Sequence, residues 1–211
     1  MKKNRLWLEA IYLPFLGVAM CTAIIWGLSL ITGNNSELDT SHSLNGLICG
    51  IIVYSSDLYR SKVPLFISMG VTRKRTVRYL SYHRLLLSFS CAVAIQLCMV
   101  LFSPYPAGTG LTMFLTVLIA FLFSNELEGF LGIFLMRISN KAVINLLEIL
   151  VCILCMFPMA FVFSLMVAPE SAVSFMEQYH ILPVTGILAL SLHLLLVFVT
   201  EKALRTYTVK L

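Results

Sequence analysis

The sequence is dominated by long apolar runs separated by short polar connections. Most of the runs have the roughly 20 residues that an α-helix needs to cross the hydrocarbon of a bilayer. Six can be bounded, at residues 8–32, 43–58, 79–102, 111–136, 142–167 and 181–199, and the second is short enough to need flanking residues. The pattern predicts an all-α, polytopic membrane protein of about six transmembrane helices, in which residues 1–211 form a single transmembrane domain.

Composition strengthens this prediction. The chain has 211 residues, of which 59% are hydrophobic and 12% are charged, whereas a soluble domain carries about 25% charged residues. The six cysteines all fall inside the apolar runs, so they are expected to be packing groups and not disulfides or metal ligands.

The basic residues fall on one side of this predicted topology. They lie before the first run, between the second run and the first turns of the third (where Arg84 falls), between the fourth and fifth, and after the sixth, whereas the opposite connections carry only acidic charges. Under the positive-inside rule, this asymmetry predicts a multi-pass protein of the cell membrane with both termini in the cytoplasm. The formal net charge of +5 then implies contact with membrane lipids and not with nucleic acid.

The connection at residues 59–78 is the longest predicted cytoplasmic segment. Ser61 is a suitable N-cap and Pro64 is tolerated in a first helical turn. Gly70 is placed to end that helix, and Thr72 is placed to cap the next one. The sequence therefore predicts a short helix at about residues 62–69 on the cytoplasmic face.

Two features of this connection call for an explanation. The short helix carries apolar residues although it cannot span a membrane, and Arg73, Lys74 and Arg75 stand at the start of a helix, where the dipole disfavours cations. Anionic lipid headgroups would account for the charge, and a protein docking on the apolar residues would account for both features. The residues alone leave both explanations open.

The segment Met-Gly-Val-Thr-Arg-Lys at residues 69–74 resembles the G-[VTS]-[ST]-R-[KR] signature of type 2 ATP-binding-cassette exporter permeases. The basic C-terminus and the Gly129-Phe-Leu-Gly132 segment before Arg137 are also similar to that family. The resemblance implies that the connection forms a coupling helix seated in a groove of a cytosolic ATPase. It assigns the helix break to Gly70 and the flanking contacts to Arg73 and Lys74. It assigns the docking face to five residues: Val63, Pro64, Leu65, Phe66 and Met69.

The same resemblance implies the partners. No Gly-x-x-x-x-Gly-Lys-[Ser/Thr] segment occurs in the chain, so ATP and Mg²⁺ are expected in a separate ATPase subunit and no cofactor is expected in this chain. A second permease subunit, identical or different, is expected to complete the translocation pathway.

Several polar residues fall inside the apolar runs: Gln96, Glu126, Glu128 and Glu148. No basic residue is predicted at a comparable depth, so the glutamates are expected to be protonated, hydrogen-bonded, or facing water or a partner. Residues two apart on a helix point roughly 200° apart, which argues against a catalytic carboxylate pair at Glu126 and Glu128.

The fifth run carries a further stripe of polar and small residues. Asn145, Glu148, Cys152, Cys155 and Met159 recur at alternating spacings of three and four, which places them on one helical face. Such a stripe indicates helix packing, and the resemblance implies in addition a translocation pathway with Asn145 and Glu148 near its mouth. Both interpretations stay open.

The sequence offers no pattern typical of an enzyme or a metal site. Its four histidines form no His-Glu-x-x-His motif, and no nucleophile elbow is present. His193 is expected to bond within the bundle. The leading hypothesis is the permease subunit of an ATP-driven exporter, and the alternative is an ATP-independent transporter or channel that uses Glu126, Glu128 or Glu148 as ion sites.

Overall fold

The computed structural model describes residues 8–20, 23, 58, 62–102, 110–136, 138, 140–167, 169–178 and 180–206. Most of the second predicted run, the end of the first and the predicted N-cap Ser61 lie outside these residues. The described chain contains helices and no strand, which confirms the all-α class. The helices are α1 (Leu8–Met20), α2 (Val63–Ser68), α3 (Arg73–Phe102), α4 (Gly110–Leu135), α5 (Lys141–Val167), α6 (Pro169–Gln178) and α7 (Ile181–Arg205).

Three stretches are long and apolar enough to cross a membrane. They are Arg73–Leu97 in α3, Gly110–Leu135 in α4 and Ile181–Arg205 in α7. Two further apolar stretches, Leu8–Met20 and Ala142–Pro158, are shorter. The structure therefore shows three candidate membrane-spanning helices, while the number six stays a prediction.

Two helices extend beyond the runs from which they were predicted. α3 begins at Arg73, so the basic residues of the predicted connection already form its first turns. α7 continues to Arg205, where an i,i+4 ion pair joins the guanidinium to Glu201 at 2.9 Å. A run of apolar residues underestimates both helices because the polar turns at their ends lie outside the hydrophobic pattern.

Helix α6 lies in a segment for which the sequence predicted only an external connection. Val173 and Met176 of this ten-residue helix are buried in a hydrophobic core that includes residues of α3 and α4, whereas Phe175 and Glu177 are exposed. The buried residues are three apart, so they share one face of the helix. An amphipathic helix this short escapes a search for long apolar runs.

Helix α4 is the centre of the bundle, because it packs against α3, α5 and α7. Its buried residues are distributed around the whole helix, as expected for a helix enclosed by others. One core joins Leu87 and Ile95 of α3 to Val117 and Phe121 of α4. A second core joins α2, α3, α4 and α7 through Val63, Val77, Leu80, Ile133, Leu196, Ala203 and Leu204.

The second core lies where α3 begins and α7 ends. Here the Nη1 of Arg73 donates a hydrogen bond of 2.8 Å to the carbonyl oxygen of Arg205. Because six exposed basic side chains of α3 and α7 gather there, this end is called the basic end: Arg73, Lys74, Arg75, Arg78, Lys202 and Arg205.

A sharp corner connects α2 to α3. The amide of Val71 donates to the carbonyl of Phe66 and that of Gly70 to the carbonyl of Ile67, which is the Schellman arrangement for ending a helix. Gly70 has φ = 76°, in the left-handed region that costs a residue with a Cβ about 1–2 kcal/mol. The predicted break at Gly70 is confirmed, and α3 starts three residues later.

Candidate functional site

Four polar side chains from three helices meet inside the bundle and are called the polar cluster: Ser81, Arg84, Glu126 and His193. The Nδ1 of His193 lies 2.7 Å from Oε1 of Glu126, and the Nε of Arg84 lies 3.4 Å from the same oxygen. The Oγ of Ser81 lies 2.9 Å from Nε2 of His193. One carboxylate oxygen is therefore approached by two nitrogens, one from α3 and one from α7.

The polar cluster is deep in the structure. Arg84 is 2% exposed, Glu126 is 0% exposed and His193 is 8% exposed. Counting about 1.5 Å of rise per residue, the cluster lies about 12–18 Å from the basic end along the three helices. At that depth the carboxylate and the guanidinium have each other as compensating charges, as a buried ion requires.

The sequence prediction that no basic residue lies deep enough to pair with the buried glutamates is wrong for Glu126. Arg84 was assigned to the first turns of a helix starting near residue 79, but α3 starts at Arg73. That shift of about two turns carries Arg84 into the bundle. The expectation that His193 bonds within the bundle is confirmed by its contacts with Glu126 and Ser81.

A second polar contact joins α3 to α4 beside the polar cluster, at Ser88, one turn beyond Arg84 on α3, and at Asn125, next to Glu126 on α4. The Nδ2 of Asn125 donates a hydrogen bond of 2.7 Å to Oγ of Ser88. Glu128 is also 0% exposed. Gln96 of α3 is half-buried, and its Nε2 lies 3.5 Å from the carbonyl of Gly110. From adjacent positions on α4, Asn125 thus bonds to α3, and Glu126 contacts both α3 and α7.

Three side chains of the predicted polar stripe on α5 are described, those of Asn145, Glu148 and Cys155, and they lie in different environments; those of Cys152 and Met159 lie outside the described part of the chain. Cys155 is fully buried, and its Sγ lies 3.9 Å from the carbonyl oxygen of Ser124. Glu148 is half-buried and Asn145 is exposed. Cys155 thus faces α4, and nearer the start of α5 it is Ile144, outside the stripe, that packs with Leu131 and Leu135 of α4. Asn145 therefore lies beside the packing face and not on it, and the pathway role stays a prediction.

Helix α2, the predicted coupling helix, rests on the basic end with one face. Val63 and Phe66 are buried at 0% and 6% exposure, and the Phe66 ring packs against that of Tyr79 with centroids 6.5 Å apart. Leu65 and Met69 are exposed at 39% and 46%. Of the residues that the resemblance assigns to docking, Val63 and Phe66 attach α2 to the bundle, while Leu65 and Met69 are accessible to a partner.

Two basic side chains at the start of α3 have partners within the chain. Arg73 donates to the last carbonyl of α7, where the helix dipole favours a cation. Arg75 lies over the ring of Tyr79, with its Cζ 5.9 Å from the ring centroid. These contacts offset part of the unfavourable dipole, so lipid or a partner need not account for all of the charge.

An ion pair also joins α1 to the connection before α2. The Nζ of Lys62 lies 3.7 Å from Oε2 of Glu9, with side-chain exposures of 25% and 10%. Since Lys62 immediately precedes α2, the short helix is held by contacts with α1, α3 and α7.

An apolar cleft of about 200 Å³ lies in the other half of the bundle, away from the basic end. Its two threonine hydroxyls are already used, because Thr116 donates to the carbonyl of Thr112 and Thr185 to that of Ile181. The lining therefore offers hydrocarbon contacts to an occupant. It includes side chains from four helices: Thr116, Ala120, Phe157, Pro158, Met176 and Thr185.

The chemistry of these sites is that of ion pairs, hydrogen bonds and apolar contacts. Among the described residues, no three His, Cys, Asp or Glu side chains are grouped so that they could hold a metal ion. Comparison of the chain with models of protein families, with curated proteins and with solved structures finds no match.

Proposed function

We propose that the chain is the membrane-spanning permease subunit of an ATP-driven exporter, coupled at α2 to a separate cytosolic ATPase. The observation that supports the proposal best is the geometry of α2. It is a short helix that is anchored to the bundle by Val63 and Phe66 and exposes Leu65, and it is followed by the exposed Met69 and the sharp turn at Gly70. Exposed apolar residues on an anchored surface helix are suited to a groove in a partner.

The proposed topology has six spans with both termini in the cytoplasm, so that α2 lies on the side of the membrane where ATP is found. Two permease subunits enclose the pathway. ATP binding draws two ATPases together, and the attached α2 helices tilt the bundles so that the pathway opens outward. The anchoring contacts of α2 with α3 and α7 support such a transmission, because a rigid attachment is needed for a force to reach the spans.

The test is affinity purification of the tagged chain in mild detergent together with its native neighbours, followed by an assay of ATP hydrolysis. Wild-type protein is expected to retain a stoichiometric ATPase. Met69→Asp, which places a charge on the exposed face, is expected to lose that ATPase while the protein still inserts. Met69→Leu is the matched control because it keeps an apolar side chain of similar size.

The exposed position makes Met69 a better test than Phe66. Phe66→Asp would place a charge in the second core, so loss of the partner could follow from loss of α2 packing. If Met69→Asp and Leu65→Asp both retain the ATPase at full stoichiometry, the docking assignment is rejected. If wild-type protein purifies without any ATPase, the exporter proposal is rejected.

A second function, ion-coupled transport without ATP, is supported by the polar cluster. Ionisable groups inside a membrane bundle commonly mark ion or proton pathways, and Glu126 is held between Arg84 and His193. This function predicts transport that follows an imposed proton or cation gradient in vesicles and is lost in Glu126→Gln. Transport that persists after the gradient is collapsed, and requires ATP, would reject it.

A further inference from the structure

We propose that the apolar cleft binds one acyl chain of a membrane lipid. Its described lining consists of apolar side chains and two threonines, and the hydroxyls of Thr116 and Thr185 already donate to carbonyls of their own helices. A water molecule in a cavity needs about two to four polar partners, which this lining does not supply. The cleft therefore suits an occupant made of hydrocarbon.

The cleft is a groove between two helices that scarcely touch. Among the described residues, α5 and α7 each pack against α4 and hardly against each other. Thr116 and Ala120 of α4 are buried and form the floor of the groove, while Phe157 of α5 and Leu188 of α7 are exposed and form its rim. Met176 of α6 completes the lining. A buried floor with an exposed rim means that the groove opens at the side of the bundle.

The open side lies along the most exposed of the three candidate membrane-spanning helices. The apolar stretch of α7 is 17% buried, against 56% in α3 and 50% in α4. Beside Leu188 on α7, Val184 and Ile187 are also large, apolar and exposed. When α4 and α7 cross a bilayer, the medium at this rim is lipid hydrocarbon, so an acyl chain reaches the groove directly from the membrane.

The size and the depth of the groove both fit part of an acyl chain. Its volume of about 200 Å³ exceeds the roughly 150 Å³ of an apolar protein cavity that binds benzene. Several methylene groups fit, and the rest of the lipid stays in the bilayer through the open side. Thr116 and Phe123 lie about 9 and 20 Å along α4 from its start at Gly110, which is the depth of acyl chains and not of headgroups.

A second copy of the chain fits the rim less well than lipid does. Helices associate in membranes through small residues, which let their backbones approach, and through polar side chains that bond across the interface. The rim residues Phe157 and Leu188 are neither small nor polar. Gly186, the small residue of α7 next to the groove, faces inward, because a Cβ there would meet Cδ1 of Ile119 at 3.4 Å. A helix is also about 10–12 Å across with its side chains, too wide to enter the groove.

The proposal adds a lipid site to the bundle and does not depend on the coupling of α2 to an ATPase. Its test places the full-length chain in nanodiscs of phosphatidylcholine. A small share of the lipid carries a photoreactive diazirine near the middle of one acyl chain. After irradiation and digestion, mass spectrometry locates the label residue by residue. No ATPase is added, so the outcome is separate from the test of the exporter.

Label on the floor of the groove is the expected result. Thr116 and Ala120 are 7% and 4% exposed, so they meet lipid only through the groove. They are expected to carry several times more label than Leu131 and Ile133, which are 4% and 5% exposed on the same helix but lie outside the cleft. The same lipid with its diazirine in the headgroup is expected to leave all four residues unlabelled.

Two variants of α7 test the route into the groove. Thr185 lines the cleft, whereas its neighbour Val184 is exposed outside it. Thr185→Phe places a ring in the groove and is expected to lower the label on Thr116 and Ala120 several-fold. Val184→Phe is the matched control, because valine and threonine have nearly the same shape and both changes add the same bulk. It is expected to leave the label on the floor unchanged.

Four results would overturn the proposal. Floor label no higher than that on Leu131 and Ile133 would show a groove closed to lipid, and undiminished label in Thr185→Phe would show entry by another route. Floor label from a water-soluble diazirine in place of the lipid would show a cleft filled with water. Label that appears in nanodiscs holding one copy and vanishes in those holding two would make a second copy the occupant. If Thr185→Phe does not insert, the wild-type comparison decides alone.

Discussion

At the scale of single residues, the ion pair between Arg84 and Glu126 places two opposite charges inside the bundle. Both side chains are almost completely removed from solvent, and a buried charge is tolerated when an opposite charge and hydrogen bonds replace its water. His193 supplies the hydrogen bond at the shared carboxylate oxygen. Removing one of the two charges is therefore expected to destabilise the fold more than removing both.

We expect Arg84→Met to lower the free energy of unfolding by about 3–5 kcal/mol, because Glu126 would keep a buried charge without its opposite. The double variant Arg84→Met with Glu126→Leu is expected to be less destabilised than Arg84→Met alone. Equilibrium unfolding in mixed micelles with increasing sodium dodecyl sulfate measures both. Additive losses in the double variant would show that the two charges do not interact.

At the scale of elements, α2 and the ends of α3 and α7 form one connected unit. The Schellman corner fixes α2 relative to α3, the second core packs α2 against both long helices, and Arg73 joins the start of α3 to the end of α7. The contact from Arg73 is favourable twice, because it satisfies a carbonyl at a helix C-terminus and places a cation there.

Arg73→Gln is expected to loosen the last turn of α7. The contact is exposed, so its loss should cost about 1 kcal/mol or less and should speed amide hydrogen exchange at the end of α7 up to roughly fivefold. Mass spectrometry of peptides covering residues 198–206 measures the change. Lys74→Gln removes a neighbouring exposed charge and serves as the control; the same acceleration in both variants would mean that charge alone, not the contact, matters.

How much of the fold and of the polar cluster could be predicted from the sequence differs between elements. The bounds of α4 and α5 follow the hydrophobic pattern to within a residue, and Gly70 ends α2 as its conformational freedom predicts. Arg84 was misplaced because its depth depends on where α3 begins, and that start lies in polar residues. The buried face of α2 was not predictable, because five apolar residues in one short helix do not reveal which of them find partners in the bundle.

At the scale of the whole molecule, charge is distributed between the two ends of the bundle. The basic end carries exposed Arg and Lys side chains of α3 and α7, while α6, toward the opposite end, exposes Glu177. A bilayer with α3, α4 and α7 across it would place the basic end in the cytoplasm under the positive-inside rule. The amphipathic α6 would then lie at the outer surface.

Reporter fusions test this arrangement and the number of spans together. Alkaline phosphatase, active only after export, is expected to be active when fused after residues 36, 107 and 172. Green fluorescent protein, fluorescent only in the cytoplasm, is expected to report fusions after residues 60, 139 and 206. Phosphatase activity after residue 139, or fluorescence after residue 107, would contradict the six-span topology.

The position of Arg84 also has a consequence for biogenesis. α3 emerges from the ribosome with this arginine while Glu126 is still roughly 40 residues from being made, and His193 later still. At about 5–20 residues per second, the guanidinium waits about 2–8 s for its carboxylate. An arginine alone near the centre of an inserted helix costs about 2.5–3.5 kcal/mol. If α3 and α4 cross the membrane, α3 is therefore expected to stay beside the insertion machinery until α4 arrives, so that the two helices enter the lipid as a pair.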